Sequence, residues 1–387
     1  MLAIIRRGLA AAFLTLALSA CQVIPGAGER APTAAPPPPP QDNAEPADDA
    51  LPTDTERHRV ALLVPLSGGN EAVGRSIANA TTMALLDTGA QNLRITTYDT
   101  ATGAGTAAAR AISDGNRLIL GPLLRDDVAP VLAQARPADV PLITFSNDST
   151  MAAPDVFVMG HIPEQSVERT VGHALAQGSR RFGALLPQGE YGNRAAEALS
   201  EALSGRGELV AIQRYDRGNT SIISAAERLA SAGAVDAVLI AEGPRLAAMA
   251  AGALSRSGAR PAFLGTELWS GEAGVANASA LRGAWFSAVP DERYRQFVDS
   301  YQARFGEQPY RIATLGYDAV LLALRVAQDW QPGEDFPVGA MIDEGGFLGL
   351  DGPFRFTQRG VGERAMEVRQ VGAGTVSVID PAPARFE

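Results

Sequence analysis

Short apolar runs alternate with amphipathic segments from about residue 59 to residue 264, and this alternation constrains the fold more than any other feature. The first run, residues 60–64, precedes a loop of Gly, Ser and Asn residues and a helical pattern that extends to about Asp87. Strands separated by helical patterns of about 10–15 residues are typical of βαβ units with parallel sheets. Because the runs are continuously apolar, we expect helices to cover both faces of these sheets.

The number of predicted strands divides the chain into lobes. About ten strands of this kind exceed what one compact α/β domain holds, so we predict an α/β fold of two doubly wound, Rossmann-like lobes with a hinge. We assign residues 58–160 to the first lobe and residues 161–287 to the second. Residues 288–345, which include two helical patterns, are expected to return to the first lobe, and residues 346–387 to form C-terminal strands near the hinge.

Residues 1–20 have the layout of a secretory signal peptide. Arg6 and Arg7 precede an apolar run of about 12 residues, which is short of the roughly 20 residues that a helix needs to span a bilayer. The run ends in Leu18-Ser19-Ala20 directly before Cys21, the only cysteine of the chain. This pattern predicts a lipobox, in which cleavage leaves Cys21 as a lipidated N-terminus that binds membrane lipid. The alternative is a chance cysteine after an ordinary signal peptide.

Residues 21–57 are rich in Pro and Ala and contain the proline run 36–40. Such a composition buries too little apolar surface to offset the entropy lost on ordering, so we predict a disordered tether. The proline run favours an extended polyproline II conformation, which makes the tether semi-rigid.

The composition of the chain argues against several classes of function. A formal net charge of −10 disfavours nucleic acid, whose phosphates need a basic surface. With Cys21 lipidated, no thiol remains for a disulfide or a zinc site, and the three histidines are not at metal-ligand spacing. The sequence has no nucleophile elbow, no Walker A loop and no His-Glu-x-x-His motif. We therefore expect no cofactor, no metal and no enzymatic activity.

Polar loops follow the predicted strands at their C-terminal ends. In open parallel sheets, ligands bind beyond these ends, where the N-termini of the helices also offer free N–H groups. Each loop taken alone is as well explained by a turn that caps the next helix. Together they predict a ligand cleft between the lobes, lined by Ser67, Gly68, Asn70, Asp99, Gly121, Arg125, Ser146, Asn147, Asp148, Tyr191, Glu242, Glu267 and Trp269.

These loops also carry a family resemblance. The order and spacing of several short motifs are similar to those of the type I periplasmic binding proteins, the Leu/Ile/Val-binding group, over about residues 59–371. The motifs lie at residues 64–69, 98–99, 120–124, 140–143, 190–192, 263–267, 304–309 and 347–356. The resemblance implies two Rossmann-like lobes that are joined by three crossings and close on a ligand.

The amino-acid site implied by this resemblance is only partly present. Transport members have a Ser after the Gly-Pro loop and an Ala-Thr pair in the next loop, both serving the ligand carboxylate. Arg125 and Asn147-Asp148 stand at the matching places here, and the Asp148 carboxylate would repel a ligand carboxylate unless Arg125 pairs with it. Glu267 keeps the position that receives the ligand ammonium. Trp269 is the candidate to replace an aromatic platform that is missing near Glu242.

A closer resemblance lies within the same superfamily. Residues 121–125, 155–168 and 185–187 look like the corresponding parts of LpoA-type lipoproteins. Those proteins are tethered to the outer membrane and activate a peptidoglycan synthase, a penicillin-binding protein. Gln22 after the lipidated cysteine implies sorting to the outer membrane.

Three hypotheses follow from these observations. The first is a non-enzymatic lipoprotein that regulates cell-wall synthesis by binding a penicillin-binding protein. The second is a substrate-binding lipoprotein that delivers an amino acid or a similar small polar ligand to an ABC importer permease. The third, a periplasmic enzyme, is weakened because the sequence offers no nucleophile and base pair.

The lipid anchor is testable at Cys21. Cys21→Ser removes the thiol that would carry the diacylglycerol, so we expect unprocessed or soluble protein in place of membrane-bound protein. Labelling with radioactive palmitate and membrane fractionation measure this. A wild-type protein that takes up no palmitate would show that the lipobox prediction is wrong.

Overall fold

The computed structural model describes residues 56–386. The predicted signal peptide, Cys21 and nearly all of the predicted tether lie outside the described residues.

The first lobe is built on a five-stranded parallel sheet with the strand order β2-β1-β3-β4-β5. Three helices connect these strands in the βαβ manner that the sequence predicts. The elements are β1 (His58–Val64), α1 (Glu71–Thr88), β2 (Leu93–Asp99), α2 (Ala104–Ser113), β3 (Leu118–Leu120), α3 (Arg125–Ala135), β4 (Leu142–Thr144) and β5 (Val156–Val158).

Strand β1 shows why the apolar runs are continuous. Val60, Leu62 and Val64 belong to the core on one face of the sheet, whereas Ala61 and Leu63 belong to the core on the other face. Because successive side chains of a strand point to opposite faces, a sheet covered on both faces needs apolar residues at every position.

The second lobe is built on a seven-stranded sheet that includes the two C-terminal strands, β14 (Glu367–Val371) and β15 (Val376–Asp380). The strand order is β15-β14-β10-β9-β8-β6-β7; the pairs from β7 to β10 are parallel, and the two C-terminal strands are antiparallel. Its first elements are α4 (Pro163–Ala176), β6 (Arg181–Pro187), α5 (Glu190–Leu203), β7 (Glu208–Tyr215) and α6 (Ser221–Ala232). They are followed by β8 (Ala237–Ile240), α7 (Pro244–Arg256), β9 (Ala262–Leu264), α8 (Gly274–Asn277) and β10 (Trp285–Ala288). The α/β fold of two lobes is confirmed.

The chain then returns to the first lobe. Helix α9 (Glu292–Phe305) places Phe297 and Tyr301 against Ala80 and Met83 of α1, and α10 (Thr314–Val326) completes the core beneath β1. A three-stranded antiparallel sheet follows, formed by β11 (Phe347–Gly349), β12 (Gly352–Phe356) and β13 (Gly362–Arg364), and it packs on the same core.

The last two strands, β14 (Glu367–Val371) and β15 (Val376–Asp380), join the sheet of the second lobe. The chain therefore crosses between the lobes three times, after β5, after β10 and after β13. None of the helices within residues 56–386 is both long and apolar enough to cross a bilayer.

The close approach of α1 to the loop after β1 gives a stability test. A Cβ added at Gly74 would lie 1.8 Å from the carbonyl oxygen of Pro65, whereas one added at Gly172, inside α4, would meet nothing within 4 Å. We expect Gly74→Ala to destabilise the fold by roughly 1–3 kcal/mol, because backbone has to move. Gly172→Ala is the matched control and should stabilise it by roughly 0.5–1 kcal/mol, because Ala favours a helix. Urea unfolding measures both, and a Gly74→Ala protein as stable as the wild type would contradict the packing.

Candidate ligand cleft between the lobes

Asp99 joins two loops on the cleft side of the first lobe. Its carboxylate accepts hydrogen bonds from the backbone N–H of Leu66 at 2.7 Å, from the hydroxyl of Ser67 at 2.9 Å and from the backbone N–H of Ala101 at 2.9 Å. The N–H of Leu66 contributes most to a pKa of Asp99 below its ordinary value. The carboxylate is thus charged and already satisfied by the protein.

Gly68 and Asn70 lie in the exposed turn that leads into α1. Gly68 lines a cavity of about 550 Å³ between the start of α1 and the loop at residues 307–310. Glu71 and Arg75, which form an ion pair with each other, also line this cavity.

Asp148 is held by three groups of the first lobe. Arg125 donates to one carboxylate oxygen, while the backbone N–H and the hydroxyl of Thr150 donate to the other at 2.9 and 2.6 Å. Burial favours the neutral acid, but the hydrogen bonds from Thr150 and Arg125 and the charge of Arg194 outweigh it and lower the pKa of Asp148. The residue is therefore a buried carboxylate, and the pairing with Arg125 that the sequence left open is present.

Arg194, at the start of α5, connects the two lobes. Its Nε and Nη2 atoms donate to the two carboxylate oxygens of Glu164 at 2.7 and 2.6 Å, within the second lobe. Nη2 also donates to the backbone oxygen of Asn147, in the first lobe, at 2.6 Å. The side chain is only 8% exposed. A bidentate arginine that also binds a carbonyl across the cleft fixes the geometry as well as adding energy.

Sequence reasoning missed Arg194, although a signal was present. The buried positions of α5 include Ala195, Ala198, Leu199 and Ala202, which mark its apolar face. Arg194 lies four residues before Ala198 and therefore on the same face. A charge on the buried face of a helix needs a partner, and this requirement singles the residue out.

Tyr191 and Glu267 meet on the cleft side of the second lobe. The Tyr191 hydroxyl donates to Glu267 Oε1 at 3.1 Å and lies 2.9 Å from the hydroxyl of Thr266. The backbone N–H of Glu267 donates to Ser166 at 2.8 Å. The second carboxylate oxygen, Oε2, is buried and has no hydrogen-bond partner among residues 56–386. Burial raises the pKa of Glu267 to about 7 despite the hydrogen bond from Tyr191.

Trp269, which the sequence predicts to line the cleft, lies instead in the core of the second lobe. It is 1% exposed, packs in the core of the second lobe with its ring 5.5 Å from that of Phe286, and donates from Nε1 to the backbone oxygen of Glu242 at 2.8 Å. The expectation of an aromatic platform at this position is wrong, because the indole fills the space above Gly265, where an added Cβ would lie 2.5 Å from the ring.

Glu242 is also occupied by the protein itself. Its carboxylate accepts hydrogen bonds from the Tyr215 hydroxyl, from Arg217 Nε and from the N–H of Gly243, at 2.8–2.9 Å. The guanidinium of Arg217 also lies over the ring of Tyr191, 5.2 Å from its centre. Arg217 therefore links Glu242 to the Tyr191 and Glu267 pair.

Gly121 and Ser146 shape their loops. Gly121 has a φ of +109°, and an added Cβ would lie 2.2 Å from the backbone oxygen of Leu63, so only glycine fits beside β1. Ser146 is buried, and its hydroxyl accepts from the N–H of Asp148 at 3.2 Å.

The structure thus brings the predicted residues together in small groups rather than in one ring. Ser67 pairs with Asp99, Arg125 with Asp148 and Tyr191 with Glu267, while Asn147 meets the second lobe through Arg194. Within residues 56–386, no group of three or more His, Cys, Asp or Glu side chains is arranged to hold a metal ion.

The buried Glu267 carboxyl predicts a pH-dependent stability. Because its pKa in the folded protein is about 7, above its ordinary 4.5, its stabilising contribution is present at acid pH and is lost as the pH rises through about 7. Glu267→Gln keeps the shape and cannot ionise, so we expect it to be more stable than the wild type at pH 8 by about 1–3 kcal/mol, with a smaller difference at pH 5. Urea unfolding at both pH values measures this. The exposed Glu272→Gln is the control, and a Glu267→Gln difference that does not change with pH would contradict the assignment.

Curated proteins that resemble this chain match it over part of its length. Over 171 residues it is 27% identical to an uncharacterised protein of Rickettsia prowazekii, and the matched region covers 44% of this chain and 46% of that protein. Over 180 residues it is 27% identical to the penicillin-binding protein activator LpoA of Photobacterium profundum, and the matched region covers 42% of this chain and 29% of that protein. The chain thus spans less than half of the length of the curated relatives it matches.

Solved structures match the fold over most of the described chain. A putative branched-chain amino acid ABC transporter protein from Rhodospirillum rubrum has a TM-score of 0.72 and 20% identity, covering 84% of this chain and 100% of that chain. Full-length LpoA from Haemophilus influenzae has a TM-score of 0.64 and 21% identity, covering 85% of this chain and 60% of that chain. The profile of the periplasmic binding proteins matches residues 58–375, which span both lobes and all three crossings. The chain belongs to the periplasmic binding protein family.

Proposed function

We propose that this protein is a non-enzymatic periplasmic lipoprotein that binds and activates a penicillin-binding protein. The family and the similar proteins are binding proteins or activators, and their names imply a periplasmic location. Relatives named LpoA, penicillin-binding protein activators, occur among both the curated sequences and the solved structures, which supports the activator over a general binding role.

The observation that carries this proposal is the contact of Arg194 across the cleft. Its guanidinium binds Glu164 in one lobe and the Asn147 carbonyl in the other, so the lobes are joined by the protein's own side chain. The resemblance to the type I periplasmic binding proteins implies, by contrast, lobes that close on a ligand. A cleft bridged from within needs no free metabolite to hold its lobes together.

The charge of Asp148 supports the same reading. By family resemblance, this is the place where an amino-acid ligand would put its carboxylate. Two like charges about 4 Å apart repel by roughly 4 kcal/mol at an effective dielectric constant of 20, which exceeds the roughly 1 kcal/mol of an ordinary hydrogen bond. Arg125 and Thr150 already satisfy the Asp148 carboxylate, so they offer a second carboxylate little compensation.

The N-terminal features fit an activator that works at a distance from its membrane. The proposal includes a lipid anchor at Cys21, sorting to the outer membrane and the tether at residues 21–57. At about 3 Å per residue, such a tether holds the folded lobes up to roughly 100 Å from the lipid. The contact with the synthase would then be made by an exposed face of the lobes, for which roughly 800 Å² per partner is standard.

The alternative function is a substrate-binding lipoprotein of an ABC importer. One observation favours it, namely the buried oxygen Oε2 of Glu267, which has no partner among residues 56–386. A ligand ammonium would supply the missing hydrogen bond, and a buried carboxylate that gains a cation is strongly stabilised in its charged form.

The activator proposal is tested with the full chain in detergent and a purified bifunctional penicillin-binding protein. We expect the chain to bind the synthase and to raise its rate of glycan polymerisation or cross-linking. Binding should weaken at high salt, since an acidic protein would contact a complementary basic patch. A pull-down from solubilised membranes that recovers importer subunits and no synthase would refute the activator.

The same preparation separates the two functions at Glu267. An activator should lose neither binding nor stimulation in Glu267→Ala, whereas a transporter component should lose at least ~2 kcal/mol of ligand binding, because the ammonium is left unpaired. Calorimetry with the twenty amino acids decides between them. A micromolar ligand that binds the wild type and not the variant would favour the importer.

A further inference from the structure

The turn between β11 and β12 lies where the three crossings meet. We name residues 349–352 the hinge turn. Its central residue, Asp351, is completely buried and lies within 4 Å of charged or polar groups from several elements. Hinge closure in two-lobed proteins requires the crossing segments to change their backbone angles, so groups that hold these segments control the motion.

The first crossing is tied to the hinge turn by a histidine. His161 Nε2 lies 2.9 Å from Asp351 Oδ2. The same crossing is also held by Arg364, which donates from Nη2 to the backbone oxygen of Met159 at 2.8 Å.

The second crossing and the start of α9, which follows it directly, contact the two ends of the turn. Arg293 donates from Nη1 to the backbone oxygen of Gly349 at 2.9 Å. Pro290 packs against Gly352, where an added Cβ would lie 3.2 Å from the proline ring. From the second lobe, Arg369 of β14 donates to the Val289 oxygen at 2.7 Å and to Asp291 at 2.6 Å.

The third crossing begins at Arg364, whose Nη1 lies 3.8 Å from Asp351 Oδ2 and 4.0 Å from Asp318 Oδ2. Its side chain is 2% exposed. Arg364 thus reaches the hinge turn and, through Met159, the first crossing.

The first lobe holds the turn firmly. Arg311 donates to Asp351 Oδ1 at 2.7 Å, and the hydroxyl of Thr314 donates to Oδ2 at 2.9 Å. Asp318 of α10 accepts from the N–H of Leu350 at 2.6 Å, and a Cβ at Gly349 would lie 2.4 Å from its carboxylate. The arginine charges and His161 outweigh burial and hold the pKa of Asp351 far below its usual range, so the carboxylate is charged.

We propose that the hinge turn is a lock that fixes the angle between the two lobes. All three crossings contact one turn, and that turn is anchored in the first lobe by buried charges. Rotation about the hinge would separate these groups and leave charged side chains buried without partners, which is strongly unfavourable. The lobes therefore keep one orientation and present a constant surface. The lock does not depend on the identity of any partner.

A change in the angle between the lobes is detected by double electron–electron resonance, which measures the distance between two spin labels, one on each lobe. The full chain with Cys21→Ser contains no other cysteine, so labels are placed only at introduced sites. Ala101→Cys, just after β2, and Arg245→Cys, in the first turn of α7, are exposed positions on different lobes. We expect one narrow distance distribution for this parent protein.

Two variants test the lock in this background. Asp351→Asn removes the central charge, and Arg293→Gln removes the exposed contact that ties the start of α9, directly after the second crossing, to the hinge turn. We expect each to shift or broaden the distance distribution. Arg295→Gln, on the same helix and also exposed, is the matched control and should keep the narrow distribution.

The outcomes are separable. If Asp351→Asn does not fold, as judged by circular dichroism, Arg293→Gln decides alone, because its side chain is exposed. A broad distribution in the parent, or an unchanged narrow one in the folded variants, would overturn the lock. Either result leaves synthase activation to be judged by its own assay, so a failure of the lock and a failure of the activator proposal are distinguishable.

Discussion

Covering both faces of each parallel sheet is the constraint on which the rest of the molecule depends. Apolar side chains fill the strands, as in β1, where Leu62 and Leu63 face opposite cores. Polar groups that could serve a site therefore lie mainly at the ends of the strands and at the crossings. The polar groups of the cleft lie at the ends of the strands, and the charges of the hinge lie at the crossings. The way in which the cores cover the sheets therefore determines where functional side chains can be placed.

In both the cleft and the hinge turn, charged side chains are paired with other groups of the protein. In the cleft, Arg194 binds Glu164 and the Asn147 carbonyl, and Arg125 binds Asp148. At the hinge, Asp351 is surrounded by Arg311, His161 and Arg364. Buried charges add little net stability when they are well paired, but each partner becomes costly to remove. Such networks therefore specify one arrangement of the lobes more than they strengthen the fold.

The sequence predicted the local elements well, because strand and helix patterns are short-range properties. The run at residues 60–64 lies in β1 as predicted, whereas Tyr191, predicted in a polar loop, lies in the first turn of α5. The contacts made by individual side chains were harder to predict. Trp269 follows a strand end in the sequence, as a cleft residue would, but its ring packs over Gly265 and is buried in the core. The contact between His161 and Asp351 joins residues 190 apart, and no local pattern reports a pairing at that distance.

The return of the chain to both lobes has a consequence for folding. The core beneath β1 needs α10, and the sheet of the second lobe is completed by β14 and β15 beyond residue 366. Neither lobe can bury its apolar surface fully until the C-terminal fifth of the polypeptide has arrived. During synthesis the N-terminal segments emerge first with exposed strands, and contacts between residues so distant along the chain form slowly. We expect such a chain to complete both of its cores late, once its C-terminal fifth is present.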